Sequence, residues 1–201
     1  IAENGALMVE GEKQLHLQPM KKERALDLIK KVRRIGGKHL IVSGIKTAFI
    51  EGTTPEFLEQ VKKHYEKYKV VEDLTKIDLD AFLKITICDL SGAEENSFPH
   101  VKNLKDEFQV KLSGEIWIDF THKLAQKGNA LKKIQDLKGI SAEDTMAFGD
   151  YLNDIEMFEH AKYGFAMQNA HEDVKKAASY RAKSNDAHGV ELVLKDLLRD
   201  L

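Results

Sequence analysis

The amino-acid sequence predicts an α/β fold in two parts, and three observations carry that prediction. From Lys127 onward, short apolar strands alternate with helical spacings, the pattern of a parallel sheet joined by right-handed crossovers. Residues 6–120 instead mix strands and helices in the manner of an α+β unit. Between them in character stands one apolar strand, Thr145-Met146-Ala147-Phe148-Gly149-Asp150, that delivers a carboxylate to its own C-terminal end. In open α/β sheets that end is where ligands bind.

Residues 1–9 read as a strand, a turn at Asn4-Gly5 and a second short strand, because Asn-Gly supplies the positive-φ pair of a tight hairpin. Ala25, Leu28, Ile29, Val32 and Ile35 recur at helical spacing over 21–35, and Gly36-Gly37 stop that helix. The run His39-Leu40-Ile41-Val42 is a strand. Thr54-Pro55-Glu56 opens a helix with Pro in its first turn and Phe57, Leu58, Val61 and Tyr65 on one side. Residues 82–88 alternate as a half-buried strand does, 99–106 are helical, and 108–113 and 115–120 are two further strands.

After Lys127, Ala130, Leu131, Ile134 and Leu137 form a helix ended by Gly139, and Ser141 caps a short turn before the strand at 145–150. Helix follows from Asp154 to Ala161, strand at 163–167, and helix again from His171 to Ala178. A last helix from Gly189 to Leu201 keeps Val190, Val193, Leu194 and Leu197 on one face. The change of regime places the joins near residues 10–20 and 120–126.

Composition limits the classes of function. The 42% apolar and 32% charged residues are those of an ordinary globular protein. A formal net charge of −2, with acids and bases interspersed, builds no field for nucleic acid or a membrane surface. The single cysteine, Cys88, excludes an internal disulfide and a thiolate metal cage and reads as a buried strand residue. No apolar run reaches spanning length and no leader opens the chain, so a cytoplasmic location is expected. The eight histidines include no His-x-x-x-His pair with a helix-borne Glu, which argues against a zinc hydrolase. Trp117 lies in a strand, where a structural role competes with substrate stacking.

The chemistry gathers at Lys127 and at Gly149-Asp150-Tyr151-Leu152-Asn153-Asp154. Asp150 ends a buried strand and Asp154 lies four residues on, so both can face one cavity at the sheet's C-terminal edge. Mg²⁺ takes one or two carboxylates with water and a phosphate oxygen, and this pair supplies them. Asn153 adds a neutral polar group, and Lys127 brings a positive charge to a helix start. Together they would trap phosphate. A Gly-Asp turn followed by Asn-Asp also caps a helix, so the same residues have a purely structural reading.

The ordered set Lys127-Gly128-x-Ala130-Leu131, Gly149-Asp150-x-x-Asn153-Asp154, Ala166-Met167-x-Asn169-Ala170, and Asn185-Asp186 with Gly189-Val190 resembles the haloacid dehalogenase (HAD) superfamily, specifically its Cof-type (IIB) phosphatases. Asn4-Gly5-Ala6 is similar to that subfamily's third core strand, and the central section to its large α/β (C2-type) cap. The resemblance covers the whole chain. It implies a Rossmann-like core made of 1–15 and 121–201, a cap at 16–120, Mg²⁺, and hydrolysis of a small phosphorylated metabolite through an aspartyl-phosphate. It makes Lys127 the catalytic lysine that offsets phosphate charge, Asp150 a metal ligand, and Asp154 a ligand directly or through water. Asn153 and Asn169 would line the phosphate pocket. Asn185 and Asp186 would close its edge or simply form a polar turn.

One part of the pattern is not found. The family's Asp-x-Asp-Gly-Thr, which supplies nucleophile and general acid/base, has no counterpart here. Asp78-Leu79-Asp80 is followed by Ala81-Phe82 and reads as a turn or helix start, and Asp89-Leu90-Ser91-Gly92 reads as a cap turn. Ile41-Val42-Ser43-Gly44 imitates the family's second motif but follows Asn4-Gly5-Ala6 instead of preceding it, so Ser43 is expected in the cap. The chain is therefore expected to begin after the first two core strands. Two alternatives stay open: a non-catalytic fragment or phosphate-binding module, and phosphosugar mutase chemistry, whose cap arginines are not identifiable.

Overall fold

The computed structural model describes residues 1–199, and the chain divides into two compact units, Ile1–Ala125 and Gln126–Leu201. No helix among the described residues is long and apolar enough to cross a membrane.

The first unit opens with a 3₁₀ turn, Glu3–Gly5, and an antiparallel pair, β1 (Leu7–Glu10) and β2 (Lys13–Leu17). The expected hairpin at Asn4-Gly5 is thus corrected. Those residues do turn the chain, with Asn4 at φ 54°, but they close only the isolated bridge between Ala2 and Leu7. The hairpin proper turns at Gly11, whose φ of +58° suits a two-residue loop. Helix α1 (Lys22–Arg33) follows, then β3 (His39–Ser43), β4 (Ala48–Ile50), α2 (Pro55–His64), β5 (Tyr68–Val70) and β6 (Lys84–Cys88). The predicted helix at 99–106 is a short α3 (Phe98–Val101) continued as 3₁₀ turns through Asp106, and β7 (Gln109–Gly114) and β8 (Trp117–Thr121) complete the unit.

Six strands form one sheet in the order β5-β4-β3-β6-β8-β7. One face is apolar: Leu40, Val42, Ile85, Ile87, Ile118 and Phe120 alternate inward and are buried. On the other face α2 sets Phe57 and Val61 against Ile41, Ile50 and Cys88. The expected turn at Asp89 is present, and its carboxylate is fully enclosed. Lys38 Nζ at 2.7 Å, Ser91 Oγ at 2.6 Å and Ser97 Oγ at 2.5 Å all donate to it. Burial alone would raise this carboxyl, but those donors outweigh burial and hold it at about 2. Asp78-Leu79-Asp80 lies in the loop before β6, where Asp80 accepts from the Ala81 amide at 2.8 Å. Trp117 meets the edge of His64, ring centroids 5.2 Å apart.

Residues 1–15, which the resemblance grouped with 121–201, belong by their contacts to the first unit: Ala6 and Leu7 pack with Ala81, Leu83 and Ala125.

The second unit begins with α4 (Lys127–Lys138), ended by Gly139 in the left-handed region. A 3₁₀ turn, Ala142–Asp144, leads into β9 (Met146–Gly149), then α5 (Ile155–Phe158), β10 (Tyr163–Met167), α6 (Glu172–Ala177), β11 (Tyr180–Ala182) and α7 (Gly189–Arg199). The three strands are parallel in the order β11-β10-β9, as the alternation predicts. Helix α5 is shorter than the expected 154–161, because the chain must return for Lys162 and Tyr163 to donate to Ala142 and Thr145 beside β9. Ala166, Ala170, Val174 and Ala182 form its core with Phe148, Phe158 and Phe165. The last helix has Val193 packed on that core, while Val190, Leu194 and Leu197 are exposed; Leu201, its expected end, lies outside the described residues.

Candidate functional site

Parallel pairing of β9, β10 and β11 puts the loops after β9 and β10 at one edge of the sheet. The β9 loop is folded by one side chain. Asp154 is buried, and its Oδ2 accepts from the amides of Asp150 at 3.0 Å and Tyr151 at 3.3 Å. Its Oδ1 receives Lys127 Nζ at 2.5 Å. Lys127 is the first residue of α4, so a cation carried at a helix start and two backbone amides converge on this carboxylate.

Two glycines make the convergence possible. A Cβ on Gly149 would stand 2.6 Å from Asp154 Cβ, and one on Gly128 would stand 2.5 Å from the Glu156 carbonyl oxygen. A larger residue at Gly128 would push α5 away from α4, and one at Gly149 would push Asp154 away from β9.

Asp150 follows directly and is open to solvent. Partial burial of its carboxyl, then the Asp154 charge beside it, hold Asp150 above the usual carboxylate range, with Lys127 pulling the other way. A carboxyl in that state gains from a cation. Among the described residues no three His, Cys, Asp or Glu side chains are placed to hold a metal ion. Mg²⁺ asks less, one or two carboxylates with water and phosphate oxygen, and Asp150 fits that requirement. Both Asp154 oxygens are committed to Lys127 and the loop amides, which fits a ligand acting through water or a support for the loop.

Of the other expected residues, Asn153 is buried within the same loop. Asn169, on the loop after β10, is exposed, and its Oδ1 accepts from the Asn185 amide at 3.3 Å. That bond ties the expected pocket edge together. The loops after β9 and β10 are linked by the His171 amide, which donates to the Asp150 carbonyl at 2.9 Å, and by the Tyr151 and His171 rings, 5.6 Å apart. Sequence reading passed over Tyr151 and His171. Their signal was position alone, each flanking a motif residue.

The family model for haloacid dehalogenase-like hydrolases matches residues 1–194. The chain is 27% identical over 205 residues to the Escherichia coli 5-amino-6-(5-phospho-D-ribitylamino)uracil phosphatase YbjI, covering 99% of this chain and 74% of that protein. The matched stretch spans only 36% of the length of each of the first two curated relatives. Among solved structures, SMU.1108c of Streptococcus mutans superposes with a TM-score of 0.88 at 29% identity, covering 98% of this chain and 75% of that one. The subclass IIB sugar phosphatase BT4131 superposes at 0.79 with 24% identity, over 96% of this chain and 73% of its own, and speaks for the fold alone.

Proposed function

Because the chain belongs to the haloacid dehalogenase-like hydrolases, we propose that it is of their Cof type and serves a phosphatase acting on a small phosphate ester such as a sugar phosphate. The observation that carries this reading is the grouping of Lys127, Asp154 and Asp150 at the C-terminal edge of a parallel sheet. YbjI, named for a phosphorylated ribityl substrate, supports the substrate class.

Each residue has a distinct task. Asp150 would hold Mg²⁺, with Asp154 behind it directly or through water; bound there, the cation supplies charge neutralisation at the phosphate. Lys127 donates to a phosphate oxygen and offsets its charge, while Asp154 holds the ammonium in place. Asn153 and Asn169 would add neutral contacts to the bound phosphate. In this reading the bond between phosphorus and the ester oxygen breaks as an aspartate carboxylate takes the phosphoryl group, the alcohol leaves with a proton from solvent, and water then cleaves the aspartyl-phosphate to inorganic phosphate. Asp154 is not that aspartate, since both its oxygens are engaged, and Asp150 is assigned to the cation.

A second reading, a chain that binds a phosphate ligand without turning it over, is favoured by Asp154, whose two carboxylate oxygens are both engaged. One experiment separates them. Phosphate release from an aryl phosphate is followed with and without Mg²⁺ on the 201-residue chain and on Asp150→Ala, alongside calorimetric Mg²⁺ binding. Mg²⁺-dependent release lost in the variant supports the enzyme. Binding lost in the variant without any release supports the phosphate site and means that the nucleophile is not among these residues; release by a longer chain that carries an Asp-x-Asp-Gly-Thr then supports the enzyme, and none from it supports the binding module. Mg²⁺ binding unchanged in the variant removes Asp150 from the site in both readings.

A further inference from the structure

The loops that follow β9 and β10 are joined beyond the end of their strands. Pairing of the two strands stops at Gly149 and Ala166, yet the next residue, Asp150, is held at both of its backbone polar groups. Its amide donates to Asp154 Oδ2 at 3.0 Å, within its own loop, and its carbonyl accepts from the His171 amide at 2.9 Å, from the other loop. The direction of the Asp150 side chain therefore depends on where His171 sits.

His171 is itself fixed by its side chain. It is the N-cap of α6, and its Nδ1 accepts from the Asp173 amide at 3.1 Å. Ser, Asp and Asn perform that task with fewer atoms, so capping alone does not account for an imidazole. The ring also meets the Tyr151 ring, centroids 5.6 Å apart and planes at 66°, the edge-to-face arrangement that aromatic pairs prefer. Tyr151 follows Asp150 in the chain, and its amide donates to the same Asp154 oxygen at 3.3 Å. The ring contact thus closes a circuit that runs from Asp150 through Tyr151 to His171 and back to the Asp150 carbonyl.

On the proposed reading of Asp150 as the cation ligand, we infer that Tyr151 and His171 are positioning residues for that site: a ring clasp that keeps the Asp150 carbonyl on the His171 amide and so sets the direction of the Asp150 carboxylate. Mg²⁺ demands near-ideal octahedral geometry, and a ligand carried on a loop is aimed only as well as the groups behind it are fixed. Neither ring is a ligand. Each acts through the Asp150 backbone.

The test is calorimetric Mg²⁺ binding, with thermal denaturation alongside, on the 201-residue chain and on Asp150→Asn, Tyr151→Leu, Tyr151→Phe, His171→Asn and the double variant of Tyr151→Leu with His171→Asn. Tyr151→Leu and His171→Asn should each weaken Mg²⁺ binding about threefold to tenfold, the range one ring pair is worth. The double variant should weaken it no further, since either change opens the clasp. Tyr151→Phe keeps the ring and should restore the parent's affinity. His171→Asn keeps a capping side chain, so a lower melting temperature with Mg²⁺ affinity unchanged would mean that the pair only stabilises the loop, and would overturn the proposal. Additive losses in the double variant would overturn it too, as would a Tyr151→Phe as weak as Tyr151→Leu. Affinity lost in Asp150→Asn but unchanged in both ring variants overturns the clasp alone. No Mg²⁺ binding by the parent, or affinity unchanged in Asp150→Asn, overturns the reading of the site and the clasp with it.

Discussion

Lys127 Nζ lies 2.5 Å from Asp154 Oδ1, and the other oxygen of that carboxylate closes the loop that carries Asp150. The position of the lysine and the shape of the loop are therefore one property, set by Asp154. Asp154→Ala should cost about 2–4 kcal/mol in urea unfolding, since it leaves two backbone amides and a cation without their acceptor. Lys127→Ala should cost nearer 1 kcal/mol, because the ammonium is partly exposed. Equal losses would mean the loop does not depend on the carboxylate.

Asp150 is the residue for cation binding on the proposed reading, and it is open to solvent. Asp150→Asn should reduce Mg²⁺ affinity at least about tenfold by calorimetry, which corresponds to about 1.4 kcal/mol, with a circular dichroism spectrum like the parent's. Unchanged affinity would move the cation elsewhere.

Asp89 sets an acid limit on the first unit. Its carboxyl is held at about 2 against an ordinary 3.8, so its contribution is present above the ordinary value and is lost as pH falls from about 4 towards 2. The loss is about 2 kcal/mol. Asp89→Asn should be less stable than the parent at neutral pH, with a shallower fall of stability across that interval. Parallel pH curves would remove Asp89 from the account.

Gly128 and Gly139 separate close approach from backbone strain. Gly128→Ala would drive a methyl group into the Glu156 carbonyl and should cost about 2 kcal/mol or more, with Lys127 displaced. Gly139 has open space around it at φ +66°, so Gly139→Ala should cost only about 1 kcal/mol. Thermal denaturation of the two variants should rank them in that order.

Much of the architecture was legible before any coordinates. Apolar spacing over 21–35 marks α1, Thr54-Pro55 marks the start of α2, and the strand-helix alternation after Lys127 marks a parallel sheet. These signals are local: a dozen residues of periodicity, a cap or a fixed φ suffice. Strands β4, β5 and β11 were not legible because each has three residues, too few for a period, and they are strands only through their neighbours. Residues 13–17 are five long but were missed because none of them is fully buried, so no clear apolar face marks the strand, and the turn at Asn4-Gly5 closed a bridge rather than a hairpin because its partner strand lay further along the chain.

By itself the sequence determined the fold class, the helix boundaries around α1, α2 and α4, and which carboxylates and which lysine stand near one sheet edge. Order along the chain is enough for that, since a strand's end and a helix's start are adjacent in sequence. Only the tertiary structure decided that Asp154 faces Lys127 and the loop amides while Asp150 faces solvent, that Asn169 turns to Asn185, and that the His171 amide holds the Asp150 carbonyl. Those outcomes depend on register and burial, and both are set by residues far away in the chain.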